Sequence, residues 1–213
     1  MAQSRAASVQ GTAIRVTRLN SNGTTATGAS ASYVVNSFVR VSFTPEYEEG
    51  DEITEKNAAG EVCVTYKAPD TLKRVTMELA ICEPDPEFTE LIAGGSLLTA
   101  AGQSVGWAAP LTGVDATPNG TALEVWSYAV ANGTRASVNP YFRWLFPFTQ
   151  LRPTGERVIE NGLLANTFEG YGVGNTGFGD GPQNDWLYTS DRAFAYAREA
   201  TAPTGLNGYQ TPL

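Results

Sequence analysis

Tyr141-Phe142-Arg143-Trp144-Leu145-Phe146-Pro147-Phe148-Thr149 is the most telling stretch of the chain. Phe142, Trp144, Phe146 and Phe148 recur at every second position, the period of a β-strand with one apolar face. A helix would scatter the same rings around its circumference. Each ring gains about 1.5–3 kcal/mol when fully buried, so the strand belongs in a core or at a protein interface. Pro147 brings no N–H to a ladder, which predicts an edge or a bulge at that point.

The same period extends through the rest of the chain. In Leu72 to Ile81, Val75, Met77, Leu79 and Ile81 form one face and Arg74, Thr76 and Glu78 the other. Leu123 to Val130 reads as a strand closed by an Asn132-Gly133 turn. Tyr33 to Phe43 reads as a single strand, Val62 to Tyr66 as another, and Ala13 to Leu19 as a half-buried one. Arg157 to Phe168 is a further strand, with Asn161-Gly162 as a bulge or turn. Ala68-Pro69-Asp70-Thr71 is expected to close a hairpin between Val62–Tyr66 and Leu72–Ile81. One helix is signalled over about 84–94: Asp85 can cap it, Pro86 suits its first position, and Gly94-Gly95 ends it. A Gly/Ala/Ser loop follows, and Asp191 to Ala200 fits either a short helix or a strand.

The expected fold class is therefore mainly β, a sandwich or partial barrel with one short flanking helix and long loops. Residues 1–12 are expected to be an arm or disordered, 13–200 a single domain, and 201–213 a disordered or extended tail.

Composition narrows function by exclusion. The 213 residues contain no histidine, which removes Ser-His-Asp and Cys-His catalysis and His-ligated zinc. None of Lys56, Lys67 and Lys73 sits in a Ser-x-x-Lys motif. No enzyme activity, cofactor or metal is expected. There are 22 acidic against 14 basic residues, a net charge of −8. Such a surface repels nucleic acid, which disfavours a DNA reader but suits a surface past which DNA slides. No apolar run is long enough to span a membrane, and the small polar residues after Met1 do not form a signal core. A hairpin turn at Pro69-Asp70 would leave Cys63 and Cys82 about 23 Å apart, too far for a disulfide.

Gly172-Val173-Gly174-Asn175-Thr176-Gly177 matches a dinucleotide fingerprint, yet Gly179-Asp180-Gly181-Pro182 follows where a helix must begin, so it reads as a loop. Asn22, Asn119 and Asn132 each open an Asn-Gly-Thr sequon and read as turns. The densest acidic run is Pro45 to Glu55. It lacks a calcium-loop pattern, so Glu46, Glu48, Glu49, Asp51, Glu52 and Glu55, with Glu78, are candidates for an acidic lumen or subunit contact. The run from Glu46 to Gly60 is expected to be a loop that reaches a neighbouring subunit. The aromatic strand lacks the basic groove that single-stranded nucleic acid needs, leaving Phe142, Trp144, Phe146 and Phe148 as core or interface residues.

Five stretches in order resemble the major tail proteins of long, flexible-tailed bacteriophages, especially those infecting actinobacteria. They are Glu48–Asn57 running into Gly60–Val64, Ala68–Val75, Ile81–Glu87, Asn139–Trp144 and Gly179–Trp186. The resemblance implies a tail-tube fold assembled in the host cytoplasm into a virion. Hexameric rings would stack around a tape-measure protein, meet tail terminator and baseplate or tip proteins at the ends, and pass DNA without binding it specifically. Alternatives are a tail terminator or secretion-type ring, and a monomeric cell-surface or carbohydrate-binding module using Trp107, Trp126 or Trp186.

Overall fold

The computed structural model describes residues 5–36, 38–83, 85–155, 166–183, 191–203 and 207–212. Its elements run β1 (Ala7–Arg18), β2 (Ser32–Val35), β3 (Phe38–Glu48), β4 (Glu52–Lys56), β5 (Val62–Lys67), β6 (Thr71–Ile81), α1 (Pro86–Ala93), β7 (Ser96–Ala100) and β8 (Gln103–Ala108). There follow β9 (Thr121–Ala131), β10 (Thr134–Arg135), β11 (Tyr141–Thr154), β12 (Asn166–Val173), β13 (Ala195–Glu199) and β14 (Gly208–Gln210). The chain is mainly β, antiparallel, with one short helix. The main sheet runs β14-β2-β1-β9-β11-β12-β6-β3, while β4-β5 and β7-β8 form separate two-stranded ribbons.

β11 organises the sheet. One of its edges pairs with β9; the other pairs with β13 through Tyr141–Leu145 and with β12 through Phe148–Thr154. The two wings close on a shared core: Ile14, Val16 and Leu123 from one side pack with Met77, Leu79 and Phe168 from the other. Pro147 sits at the register break between Phe146 and Thr149, the bulge its missing N–H predicts. Its carbonyl is satisfied by the Asn175 side-chain amide at 3.1 Å, which also reaches the Gly23 carbonyl at 2.8 Å.

That bulge corrects the single aromatic face. Phe146 is wholly buried in the main core with Trp144 packed beside it, but Phe148 emerges on the opposite side, against Leu145, Ala122 and Phe178. One inserted residue inverts the parity of everything after it.

α1 fulfils its sequence signals. Asp85 accepts hydrogen bonds from the Glu87 and Phe88 amides, Pro86 opens the helix, and Gly94 follows at φ 70. Phe88, Leu91 and Ile92 are buried in the core, which supplies the stability that two turns lack alone. The Tyr33 hydroxyl donates to the same Asp85 carboxylate at 2.5 Å. Burial, with that hydrogen bond, pushes the Tyr33 hydroxyl pKa well up.

Several expected boundaries move. β1 begins at Ala7, so residues 7–12 form strand rather than a disordered end, and Arg15 and Thr17 are as buried as Ile14 and Val16. The Tyr33–Phe43 strand is two, because β2 pairs with β1 and β3 with β6. The supposed Gly/Ala/Ser loop contains the β7–β8 hairpin, and Asp191–Ala200 supplies a strand, β13. Part of the expected tail pairs with β2 as β14. The Arg157–Phe168 strand is described only from Asn166; residues 157–165, including Asn161-Gly162, and residues 184–190, including Trp186, lie outside the described residues.

Candidate functional surfaces

Two surfaces distinguish the molecule, and both grow from the Phe38–Ile81 segment. Over its first part β3 pairs with β6, from Phe38 opposite Ile81 to Glu48 opposite Thr71. Beyond a kink at 49–51 and 68–70, β4 pairs with β5. The whole is one long hairpin whose reversal lies at Asn57–Gly60, where the Gly60 amide donates to the Asn57 carbonyl at 2.9 Å. This corrects both the Glu46–Gly60 loop and the hairpin closure at Pro69-Asp70. Pro69 and Asp70 bend the ladder without ending it, since the Ala68 amide still donates to the Asp51 carbonyl at 2.9 Å. Gly50 is required there: a Cβ would lie 2.0 Å from the Ala68 carbonyl oxygen. The β4–β5 arm is exposed throughout.

The first surface is a polar wall. β3, β6, β12 and the second half of β11 lie side by side, and their core faces carry Phe43, Met77, Phe168 and Leu151. Across the opposite face the register sets Ser42, Glu78, Glu169 and Arg152 in one row, with Thr44, Thr76, Tyr171 and Gln150 in the next. Arg40 pairs with Glu78, Arg74 Nε donates to Glu46 at 2.6 Å, and Arg152 reaches Glu169 at 3.2 Å. Thr76 also donates to Glu46, and this bond, with Arg74, holds the Glu46 carboxyl below its ordinary range. Tyr171 donates to Gln150 at 2.7 Å. The wall is hydrophilic and balanced in charge rather than acidic.

The second surface is the arm. Glu48 ends β3, Glu49 and Asp51 occupy the kink, and Glu52 and Glu55 lie on β4 opposite Lys67 and Val64. The candidate acids are thus divided: Glu46 and Glu78 on the wall, the other five along the arm. On one face of the arm Ile53 stands opposite Tyr66, in line with Val64 and Val62, all exposed. Alternation over Val62–Tyr66 is visible in the sequence; that its apolar side meets nothing in the described chain is not.

A third cluster escaped sequence reasoning. Glu124 is buried between two arginines, accepting from Arg15 Nε at 2.5 Å and Arg143 Nε at 2.7 Å. Both guanidiniums also lie over the Trp126 ring, at 5.2 and 5.6 Å. Burial pushes the Glu124 carboxyl up, but the two guanidiniums outweigh it and hold the group below the ordinary carboxylate range. The signal was available: Leu123-Glu124-Val125-Trp126 places a charge inside an apolar strand.

The remaining candidates resolve plainly. Gly172 ends in β12 and turns follow through Gly177, with no helix for a phosphate. Trp126 is buried, and the Trp107 indole donates to the Gly94 carbonyl at 2.8 Å. Cys63 and Cys82 are free thiols. Among the described residues, no group of three or more His, Cys, Asp or Glu side chains gathers as a metal site, and no helix is long and apolar enough to cross a membrane. No protein-family model matches the chain, and no curated protein matches it.

Proposed function

We propose that this chain is a non-enzymatic tube subunit, the major tail protein of a long-tailed phage, assembling into stacked hexameric rings that conduct DNA. The observation that carries the reading is the polar wall: four adjacent strands, apolar behind and hydrophilic in front, with β3 the outermost strand among the described residues. Six such walls give about twenty-four strands, a circumference near 115 Å and a backbone diameter near 37 Å at about 4.8 Å per strand. Side chains on the inner face leave room for a duplex about 20 Å wide, and ring closure occupies the sheet edges that a lone subunit exposes.

A wall whose carboxylates are matched by arginines presents DNA with neither a basic stripe to stick to nor a dense negative field. The arm supplies the longitudinal contact, standing clear of the body with its apolar face uncovered. A tape-measure protein fills the lumen before ejection, and terminator and tip proteins cap the ends.

Negative-stain microscopy of the purified protein at rising concentration, with sedimentation of the same samples, tests this. Open-centred tubes are expected. Single rings that never stack would indicate the terminator class. A monomer at every concentration, with and without tape-measure protein, would overturn the tube reading. Of the three tryptophans a glycan-binding module could use, Trp126 is buried and the Trp107 indole is tied to the backbone, while Trp186 lies outside the described residues.

A further inference from the structure

The main sheet ends differently on its two sides. At one end β3, eleven residues long, is the outermost strand among the described residues. At the other end the last strand of the chain, β14, closes the edge with three. Gly208 lies opposite Val34, Tyr209 opposite Tyr33 and Gln210 opposite Ser32. β14 arrives there from across the sheet: β13 flanks β11, whereas β14 flanks β2, with β9 and β1 between them. After β13, Ala202 packs on Ala13, Val34 and Trp126, on the side away from the main core.

The end of the chain is fastened by more than its short ladder. The Asn36 amide donates to the Asn207 side-chain oxygen at 3.3 Å, just before the ladder begins. The Tyr209 ring meets the Tyr33 ring edge-on at 5.0 Å and packs against the main core. Tyr33 in turn donates to Asp85, the cap of α1. Pro212, just past the strand, is buried. The clasp therefore links the sheet edge to the helix.

Pairing chemistry says what such a clasp does. β2 is buried along all of Ser32–Val35, and one of its edges is taken by β1. Without β14 its other edge would present unpaired backbone groups beside an uncovered Tyr33 ring, the form of a strand-addition site. β14 is itself a poor template for a further strand. Three residues offer few outward groups, and Pro212 has no N–H with which to extend them.

We infer that β14 is an edge guard: it fills the strand-addition site of β2 and keeps a second copy of this chain from pairing there. Self-association is thereby left to other surfaces. The inference goes beyond the tube reading and does not need it, since a monomer has the same edge to protect.

The experiment compares the full chain with a truncation lacking residues 207–213 and with Tyr209→Ala. Hydrogen exchange and sedimentation are measured at equal concentrations, with and without an excess of a synthetic peptide of residues 207–213. The β9–β11 ladder should exchange as in the full chain, while the β2 amides on the β14 side lose protection by about tenfold or more. The truncation should sediment as irregular aggregates where the full chain does not, with Tyr209→Ala in between, and the peptide should restore both protection and solubility. Unchanged β2 protection, or a truncation that sediments like the full chain, would overturn the guard. So would aggregates that the peptide does not prevent, or a loss of protection throughout β9–β11, which would make the tail part of the folding core. A full chain without tubes beside a truncation rescued by the peptide would overturn the tube reading alone. Normal tubes from both chains would overturn the guard alone.

Discussion

Glu78 on β6 and Glu169 on β12 stand directly opposite each other on the polar face of the sheet. Each is held by an arginine from the strand beyond, Arg40 on β3 and Arg152 on β11. Like charges in facing positions repel, and the outer arginines offset that repulsion by flanking the two carboxylates with a cation on each side.

Removing both cations should expose the repulsion. A single exposed pair is worth about 0.2–1 kcal/mol, so Arg40→Gln with Arg152→Gln is expected to cost about 1–2 kcal/mol in urea unfolding at low salt. Most of the loss should return near 1 M salt, where screening acts within about 3 Å. Adding Glu169→Gln to the double variant should restore stability. A further loss on that third change would show that the carboxylates do not oppose one another.

The buried Glu124 behaves differently, because its partners cannot turn to water. Glu124→Gln removes the carboxylate that the buried Arg15 and Arg143 share, leaving Arg143 its longer contact to Glu199 at 3.5 Å, at an expected cost of about 3–5 kcal/mol. The pH dependence follows from the direction of the shift. The folded carboxyl titrates below its ordinary value of 4.5, so the unfolded chain binds the proton more readily. The stabilisation is fully present above that value and is lost as pH falls through the folded one. Acid unfolding should be less steep in Glu124→Gln than in the parent, both followed by tryptophan fluorescence. Identical slopes would mean that Glu124 contributes nothing to the acid limb.

Much of this fold is legible in the sequence because the signals are local. Asp85-Pro86 and Gly94-Gly95 bracket α1 by capping chemistry alone. Asn132-Gly133, with φ 51 and 77, joins β9 to β10 as that dipeptide predicts. What was missed depends on partners distant in sequence. Pro69-Asp70 carries the same turn chemistry whether it ends a hairpin or bends one, and only the pairing of β3 with β6 decides. Phe148 follows the parity of Phe146 on paper; the bulge that inverts it is set by where Thr149 finds Thr121. Glu46 and Glu78 look like free acids until the register brings Arg74 and Arg40 across to them.

The inverted Phe148 has a consequence at Gly120. Gly120 has φ 66, and a Cβ there would lie 2.5 Å from the Phe148 ring; Gly113, at φ 81, faces open space. Gly113→Ala should cost about 1 kcal/mol from backbone strain alone. Gly120→Ala adds a clash with a packed ring, for a total of about 2–4 kcal/mol. Thermal unfolding of the two variants side by side separates the terms. Equal losses would put Phe148 elsewhere.

The arm offers the cleanest separation of folding from assembly. Its two strands pack on each other, and its apolar residues are exposed, so the body draws little stability from it. Glu48 and Thr71 are directly opposed, which allows residues 49–70 to be replaced by Asn-Gly, the two-residue turn that closes an antiparallel pair with the correct twist. The shortened chain should unfold within about 1 kcal/mol of the parent, because removed surface residues away from a core contribute little. Its β3–β6 ladder and α1 packing should be unchanged by hydrogen exchange. Under the microscope it should yield monomers or isolated rings and no tubes, since in the proposed assembly wall closure uses sheet edges the excision leaves in place while stacking uses the arm. Normal tubes from this variant would show that the arm is an ornament of the surface, and the longitudinal contact would have to be sought on the β7–β8 side instead.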